Sequence, residues 1–216
     1  TDQIITISPS QYKDITETFR IAPARKVAMV RLGLELQPLK NLQHTDELKS
    51  SIGLPPQAKL LGFVGRLVPV KNIGMAIQVL ERLLQEDNSY HLCFAGDGEE
   101  REKWVQYTRQ HNIDEHVHFL GWIEKIEYVL AGIDILILTS LNEGTPIAVI
   151  EAMTSQVPVV ATAVGGVPDL IQHEKNGFLV SINDVESMVQ YIKRIVSSQK
   201  EIRTMLENAA TGIIEH

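Results

Sequence analysis

The sequence has a single cysteine, Cys93, in 216 residues. It cannot form an internal disulfide, which excludes a disulfide-stapled scaffold and fits a reducing cytosol. Long apolar runs are missing. The longest are about six residues, against the ~20 that a membrane span needs. No basic-then-apolar leader opens the sequence, so no secretory signal is read there. A basic excess is missing too: lysine and arginine total 20 against 27 acidic residues, for a net charge of −7. Nucleic-acid binders carry a basic footprint, and none is spread over this chain. A few local cations still suffice to hold a small anionic ligand. Low-complexity segments and internal repeats are absent, and 44% hydrophobic with 22% charged residues is ordinary for a globular chain. That balance excludes a disordered tail and a collagen-like repeat. The length suits one large domain or two small ones.

What the sequence does have is alternation. Short β-branched runs at 60–64, 91–95, 116–120, 134–138, 158–162 and 177–180 read as strands. Between them, apolar residues recur at helical spacing, as in Ile73, Ala76, Ile77, Leu80, Leu83 and Leu84. Helices are expected at 73–84, 99–110, 124–130, 146–154, 185–197 and 200–210. Repeated strand–helix alternation predicts an α/β fold, a Rossmann-like parallel sheet with helices on both faces. Cys93 lies mid-strand and reads as core.

Residues 1–40 stand apart. A strand at 4–8, a helix capped by Ser8 or Ser10 and running through Ile21, and a strand at 27–30 precede a polar stretch opened by Gln37-Pro38. The sequence opens on Thr1, just before a strand of buried type, which reads as a piece of a longer protein. The expected division is 1–40 as the end of a preceding domain with its linker, and 41–216 as the main domain.

In an open parallel sheet, ligands bind at the carboxyl ends of the strands, so the loops that follow them carry the candidates. After the first main strand, Gly65-Arg66 and Lys71-Asn72 place two cations on a loop leading into a helix, a natural anion site or simply two solvated charges. After the second, Gly96-Asp97-Gly98 permits a tight turn, but the three-glycine dinucleotide fingerprint is missing. Asp97 is a plain cap or a ligand contact. After the fourth comes Glu143-Gly144-Thr145-Pro146, then Glu151. Thr145 is a good N-cap and Pro146 a good first helical residue, leaving the N–H groups of Gly144, Thr145, Ile147 and Ala148 free for an anion. Glu151 stands in an otherwise apolar helix, where a carboxylate needs partners or simply favours the helix dipole. After the fifth, Gly165-Gly166 permits a bend that packs on the same cleft or only turns the chain. The seven histidines show no metal-ligand spacing, and His116 and His118 read as an exposed strand face. No Asp-x-Asp pair and no G-x-S-x-G elbow occur.

The ordered set is recognisable. It comprises Phe63-Val64-Gly65-Arg66-Leu67 with Lys71-Asn72, Ala95-Gly96-Asp97-Gly98 and Phe119-Leu120-Gly121-Trp122. Then come Glu143-Gly144-Thr145-Pro146 with Glu151-Ala152-Met153, and Gly165-Gly166-Val167-Pro168-Asp169. Over residues 41–198 this resembles the C-terminal, donor-binding domain of retaining glycosyltransferases of family 4, one half of a GT-B two-domain enzyme. Residues 1–40 resemble the closing strand–helix–strand of the acceptor half. Arg31-Leu32-Gly33-Leu34-Glu35 departs from the Asn-Gly-Val-Asp linker of many relatives, which leaves the subfamily open.

The resemblance implies roles. Arg66 and Lys71, in the loop opened by Gly65, would hold the donor diphosphate and help the nucleotide leave. Glu143 would reach the transferred sugar, and Glu151 the ribose hydroxyls. Gly144, Thr145 and Pro146 would line the sugar and phosphate site through backbone groups, Pro146 by its carbonyl alone. Phe119, Leu120 and Gly121 would sit against the nucleobase. No cofactor and no metal are implied, because two cations suit a diphosphate whose charge grows in the transition state. The implied partners are a nucleotide-sugar donor and the missing acceptor domain, through which the full-length protein would touch a membrane peripherally from the cytoplasm. A nucleotide-sugar epimerase on the same scaffold and a non-catalytic binding fragment are the rivals. A phosphorylase would need a larger chain with a cofactor-bearing lysine, and a nicotinamide oxidoreductase would need the missing fingerprint.

Overall fold

A computed structural model describes residues 2–30 and 32–214, so Arg31 of the linker motif lies outside the described residues. In chain order the elements are β1 Ile4–Thr6, α1 Pro9–Lys13, β2 Val27–Met29, α2 Glu47–Ser51, β3 Lys59–Val64, α3 Ile73–Leu84, β4 Tyr90–Ala95, α4 Arg101–Gln110 and β5 Val117–Gly121. They continue with α5 Ile126–Gly132, β6 Ile135–Leu138, α6 Ile147–Thr154, β7 Val159–Thr162, α7 Val167–Leu170, β8 Phe178–Val180, α8 Val185–Ser197 and α9 Gln199–Ile214. Strands β3 to β8 form one six-stranded sheet in the order β5-β4-β3-β6-β7-β8, every pair parallel. The expected α/β architecture is present.

The two-residue period of the strands divides the core into two layers. Leu61, Phe63, Phe94, Ile137 and Val160 face a cluster with Ile77 and Leu80 of α3 and Ile192 of α8. Leu60, Cys93, Leu136, Leu138 and Val159 face the other cluster, with Val129 of α5 and Val149 and Met153 of α6. Both layers are built of buried apolar side chains, and each fully buried aliphatic one contributes about 1.5–3 kcal/mol. Burial pushes the Cys93 thiol up to about 12, so it stays protonated as a core residue.

The strand order places the site. From β3 the chain winds outward through β4 to β5, then crosses back to β6 on the opposite side of β3. The loops after β3 and β6 therefore leave the sheet in opposite senses and open a crevice at its carboxyl edge.

Residues 2–30 form a separate two-stranded parallel sheet, with Ile4 opposite Val27 and Thr6 opposite Met29. The helix expected through Ile21 is shorter. Ser8 caps it by accepting from the Gln11 N–H at 3.3 Å, but α1 stops at Lys13 and passes into one wide helical turn, Asp14–Thr18. Neither piece has a buried residue, and Thr16 donates back to the Tyr12 carbonyl. A helix with no packed face has little to sustain it. The expected polar linker is also corrected. Leu39 and Leu48 are buried, and Leu34, Leu36 and Leu42 pack against the main core. His116 is the third correction. It lies in a tight turn, Asp114–His116, ahead of β5, and its ring stacks on His91 half-buried rather than on an exposed strand face.

Candidate functional site

Lys71 ends a tight turn, Pro69–Lys71, after β3. Thr139, at the end of β6, pins that turn by donating to the Lys71 and Asn72 carbonyls at 3.0 and 3.1 Å. The Leu141 N–H donates to the Val70 carbonyl at 2.8 Å. The two loops of the crevice are thus stitched together. Across the stitch, the Lys71 ammonium pairs with Glu143 Oε1, which also accepts from Ser140 Oγ at 2.6 Å. The Glu143 side chain is only 9% exposed, so its orientation is set before any ligand arrives.

A second layer supports Glu143. The Gly166 N–H donates to the Glu143 carbonyl at 3.1 Å. A Cβ on Gly165 would overlap that carbonyl, and one on Gly166 would overlap the Gly144 carbonyl. Gly165 also has φ +51, which side-chain-bearing residues rarely adopt. The glycine pair therefore serves the cleft, allowing one loop to lie directly on the other.

Several groups at this edge are left unsatisfied. Arg66 is exposed and has no partner among the described residues. The N–H groups of Gly144, Thr145, Ile147 and Ala148, at the start of α6, have no acceptor among the described residues either. Glu151, one turn into α6, is half-buried with no hydrogen-bond partner among the described residues. Burial, and next the nearby Glu127 carboxylate, push its pKa above the usual carboxylate range. One rim of the crevice thus offers a cation without a partner among the described residues, a row of backbone donors, the oriented carboxylate of Glu143 and the unpartnered one of Glu151. That set suits a ligand with an anionic centre and hydroxyl-bearing ends.

Some expected roles change in detail. Pro146, not Thr145, is the N-cap of α6, and the Thr145 hydroxyl donates to the Ile7 carbonyl at 3.3 Å. Phe119 turns its ring away, stacking on Phe94 at 5.0 Å in the core layer of α3, whereas Leu120 belongs to the opposite layer. Strand alternation separates the two side chains, one into each core layer. Asp97 accepts from the Gly98 N–H at 2.8 Å, which makes it a turn residue. Trp122, just past Gly121, is 82% exposed. Ser140 was not legible as a site residue; its position three residues before Glu143 is the signal that marks it.

Residues 44–212 match the family glycosyl transferases group 1. The chain belongs to that family. It is 28% identical to an uncharacterized glycosyltransferase of Methanocaldococcus jannaschii over 99% of this chain and 55% of that protein. It is 29% identical to the UDP-Gal:alpha-D-GlcNAc-diphosphoundecaprenol alpha-1,3-galactosyltransferase of Escherichia coli, over 88% of this chain and 50% of that one. The chain thus spans about half the length of these relatives. Among solved structures, Anabaena HepE in complex with UDP superposes with a TM-score of 0.87 at 22% identity, over all of this chain and 59% of that one. The sheet and its flanking helices are therefore those of the C-terminal domain of a GT-B glycosyltransferase, as the ordered motifs implied. Among the described residues no helix is long and apolar enough to cross a membrane.

Proposed function

We propose that the chain is the donor-binding half of a retaining glycosyltransferase, one that moves a sugar from a nucleoside diphosphate to an acceptor hydroxyl. The observation that carries this is the Lys71–Glu143–Ser140 cluster at the switch point between β3 and β6, with Arg66, exposed and without a partner among the described residues, on the same loop as Lys71, and the open N-terminus of α6 just after Glu143. Arg66 and Lys71 meet the diphosphate, and the N–H groups of residues 144–148 meet its oxygens and the sugar. Glu143 accepts from sugar hydroxyls and Glu151 from the ribose. The relatives support the ligand class: one carries UDP-Gal in its name, and HepE is solved with UDP.

In this scheme the bond from the anomeric carbon to the diphosphate oxygen breaks as the acceptor oxygen approaches the same face. The acceptor proton passes to the departing phosphate oxygen. Charge grows on that phosphate, where Arg66 and Lys71 stabilise it more in the transition state than in the ground state. Neutralisation by side chains makes a divalent ion unnecessary. The acceptor wall comes from outside the 216 residues, with residues 1–40 as its edge, so the chain alone binds donor without turning it over.

Calorimetric titration with UDP-glucose, GDP-mannose and NAD, each with and without EDTA, tests this. Binding of a sugar nucleotide, unchanged by EDTA, is the expected result. Preference for NAD, or loss of binding with EDTA, would refute it.

A further inference from the structure

We infer that Gln11, which belongs to the N-terminal segment, completes the subsite for the transferred sugar; this rests on the donor-binding function proposed above. Two hydrogen bonds and one close approach bring the turn from β1 into α1 onto the site loops. The Thr145 hydroxyl donates to the Ile7 carbonyl at 3.3 Å. The Ser10 N–H donates to Asp169 Oδ2 at 3.2 Å. Ser8 lies against Gly166, its Cβ 3.7 Å from where a Cβ on that glycine would stand. This turn sits on the same two loops that orient Glu143.

Within the turn, Gln11 is held in one orientation. Its Oε1 accepts from the Ile7 N–H at 3.2 Å. Because Ile7 N–H is a donor, the atom facing it is the oxygen, and the amide cannot be turned the other way. Nε2 is then directed at Gly144, 2.9 Å from the position a Cβ on that residue would take. This amide nitrogen has two N–H donors and no acceptor among the described residues. Gln11 is half-buried, so it is not merely a solvated side chain.

The amide nitrogen therefore meets the loop at Gly144, whose N–H has no acceptor among the described residues, one residue after the Glu143 that pairs with Lys71. Glu143 can only accept; the Gln11 amide nitrogen can only donate. A hydroxyl both donates and accepts, so one sugar hydroxyl satisfies the two residues together. A phosphate oxygen cannot, because it has no proton for Glu143. The pairing of donor and acceptor therefore selects the sugar rather than the diphosphate.

The experiment uses Gln11→Glu and Gln11→Ala. The glutamate keeps the acceptor for the Ile7 N–H and replaces the donor with a carboxylate, so the turn is preserved while the contact is lost. Affinity is measured by calorimetry for the sugar nucleotide that wild type binds best among UDP-glucose, UDP-N-acetylglucosamine and GDP-mannose, and for its nucleoside diphosphate. Both variants are expected to bind the sugar nucleotide at least about fivefold more weakly, with Gln11→Glu the weaker. Affinity for the nucleoside diphosphate is expected to stay within about twofold of wild type. Unchanged sugar-nucleotide affinity in Gln11→Glu overturns the inference. So does an equal loss for both ligands, which would place the amide on the phosphate or make it a support for the loop. Wild type that binds the diphosphate but gains nothing from the sugar also overturns it, while leaving the diphosphate site standing. Wild type that binds neither refutes the donor-binding function and this inference with it.

Discussion

The two ends of the sheet each hold a lysine paired with a carboxylate, and they are built oppositely. At the amino edge, Lys49 is 3% exposed and bonds Asp134 Oδ1 and Oδ2 at 3.1 and 3.0 Å and the Pro56 carbonyl at 3.3 Å. Asp134 also accepts from the Leu60 N–H at 2.7 Å and lies 3.7 Å from His44. Every strong bonding direction there is used. At the carboxyl edge, Lys71 and Glu143 are paired as well, but the side chains of Arg66 and Glu151, the Gln11 amide nitrogen and the first N–H groups of α6 have no partner among the described residues. The saturated pair joins α2 to the start of β6 and carries structure. The unsaturated one leaves donors and acceptors open at the crevice.

The largest effect belongs to the saturated end. Lys49→Met leaves Asp134, 30% exposed, without its main cationic partner and removes the hydrogen bonds of a buried ammonium, a loss of about 2–3 kcal/mol. A fall in the urea midpoint is expected, with nucleotide affinity unchanged. Replacing both members, Lys49→Met with Asp134→Leu, should recover part of that loss, though the Leu60 N–H stays unpaired. A single variant as stable as wild type would break the comparison.

The open end should respond in the other currency. Lys71→Ala is expected to weaken nucleoside diphosphate binding by about 1.5–3 kcal/mol, the value of a charge-assisted hydrogen bond. Its unfolding midpoint should fall less than that of Lys49→Met. Equal affinity by calorimetry, together with a larger loss of stability, would show that Lys71 serves only to hold Glu143.

The two ends also differ in how far the sequence betrays them. Strand–helix alternation located all six strands of the main sheet to within a residue or two, because period and burial are local signals. The motif residues Arg66, Lys71 and Glu143 were legible for a similar reason: each follows a strand and so falls at the carboxyl edge. The contacts between distant segments were not. Gln11 against Gly144 and Ser10 against Asp169 join positions more than 130 apart, and no spacing in the sequence encodes them. The end of α1 was not legible either, because a cap at Ser8 marks where a helix starts and not where it ends; Tyr12 and Ile15 are only half-buried and Phe19 is exposed, so little packing sustains it. The motif Phe119-Leu120-Gly121 does not say which face each side chain takes, and the strand sends Phe119 and Leu120 to opposite layers.

The smallest effect belongs to Glu151, and its sign separates ligand from scaffold. Burial and Glu127 raise the Glu151 pKa in the folded chain above its unfolded value of 4.5. The folded state therefore binds more protons than the unfolded one in the window that starts near pH 4.5 and ends at the raised pKa. Stability from this group is fully present below that window and is lost as pH rises through it. Glu151→Gln removes the ionisation, so above the window the variant should match wild type or exceed it, by under about 1 kcal/mol. A carboxylate held for the helix dipole would behave differently, since it stands past the first turn and gains little there. At neutral pH the same variant should bind a nucleoside diphosphate about tenfold more weakly, because an amide presents only one acceptor oxygen to two ribose hydroxyls. Urea unfolding at pH 4.5 and 7.5, set beside calorimetry at pH 7.5, checks both halves. A variant that loses stability at pH 7.5 while keeping full affinity would make Glu151 part of the scaffold, and the carboxyl edge would then hold one functional carboxylate rather than two.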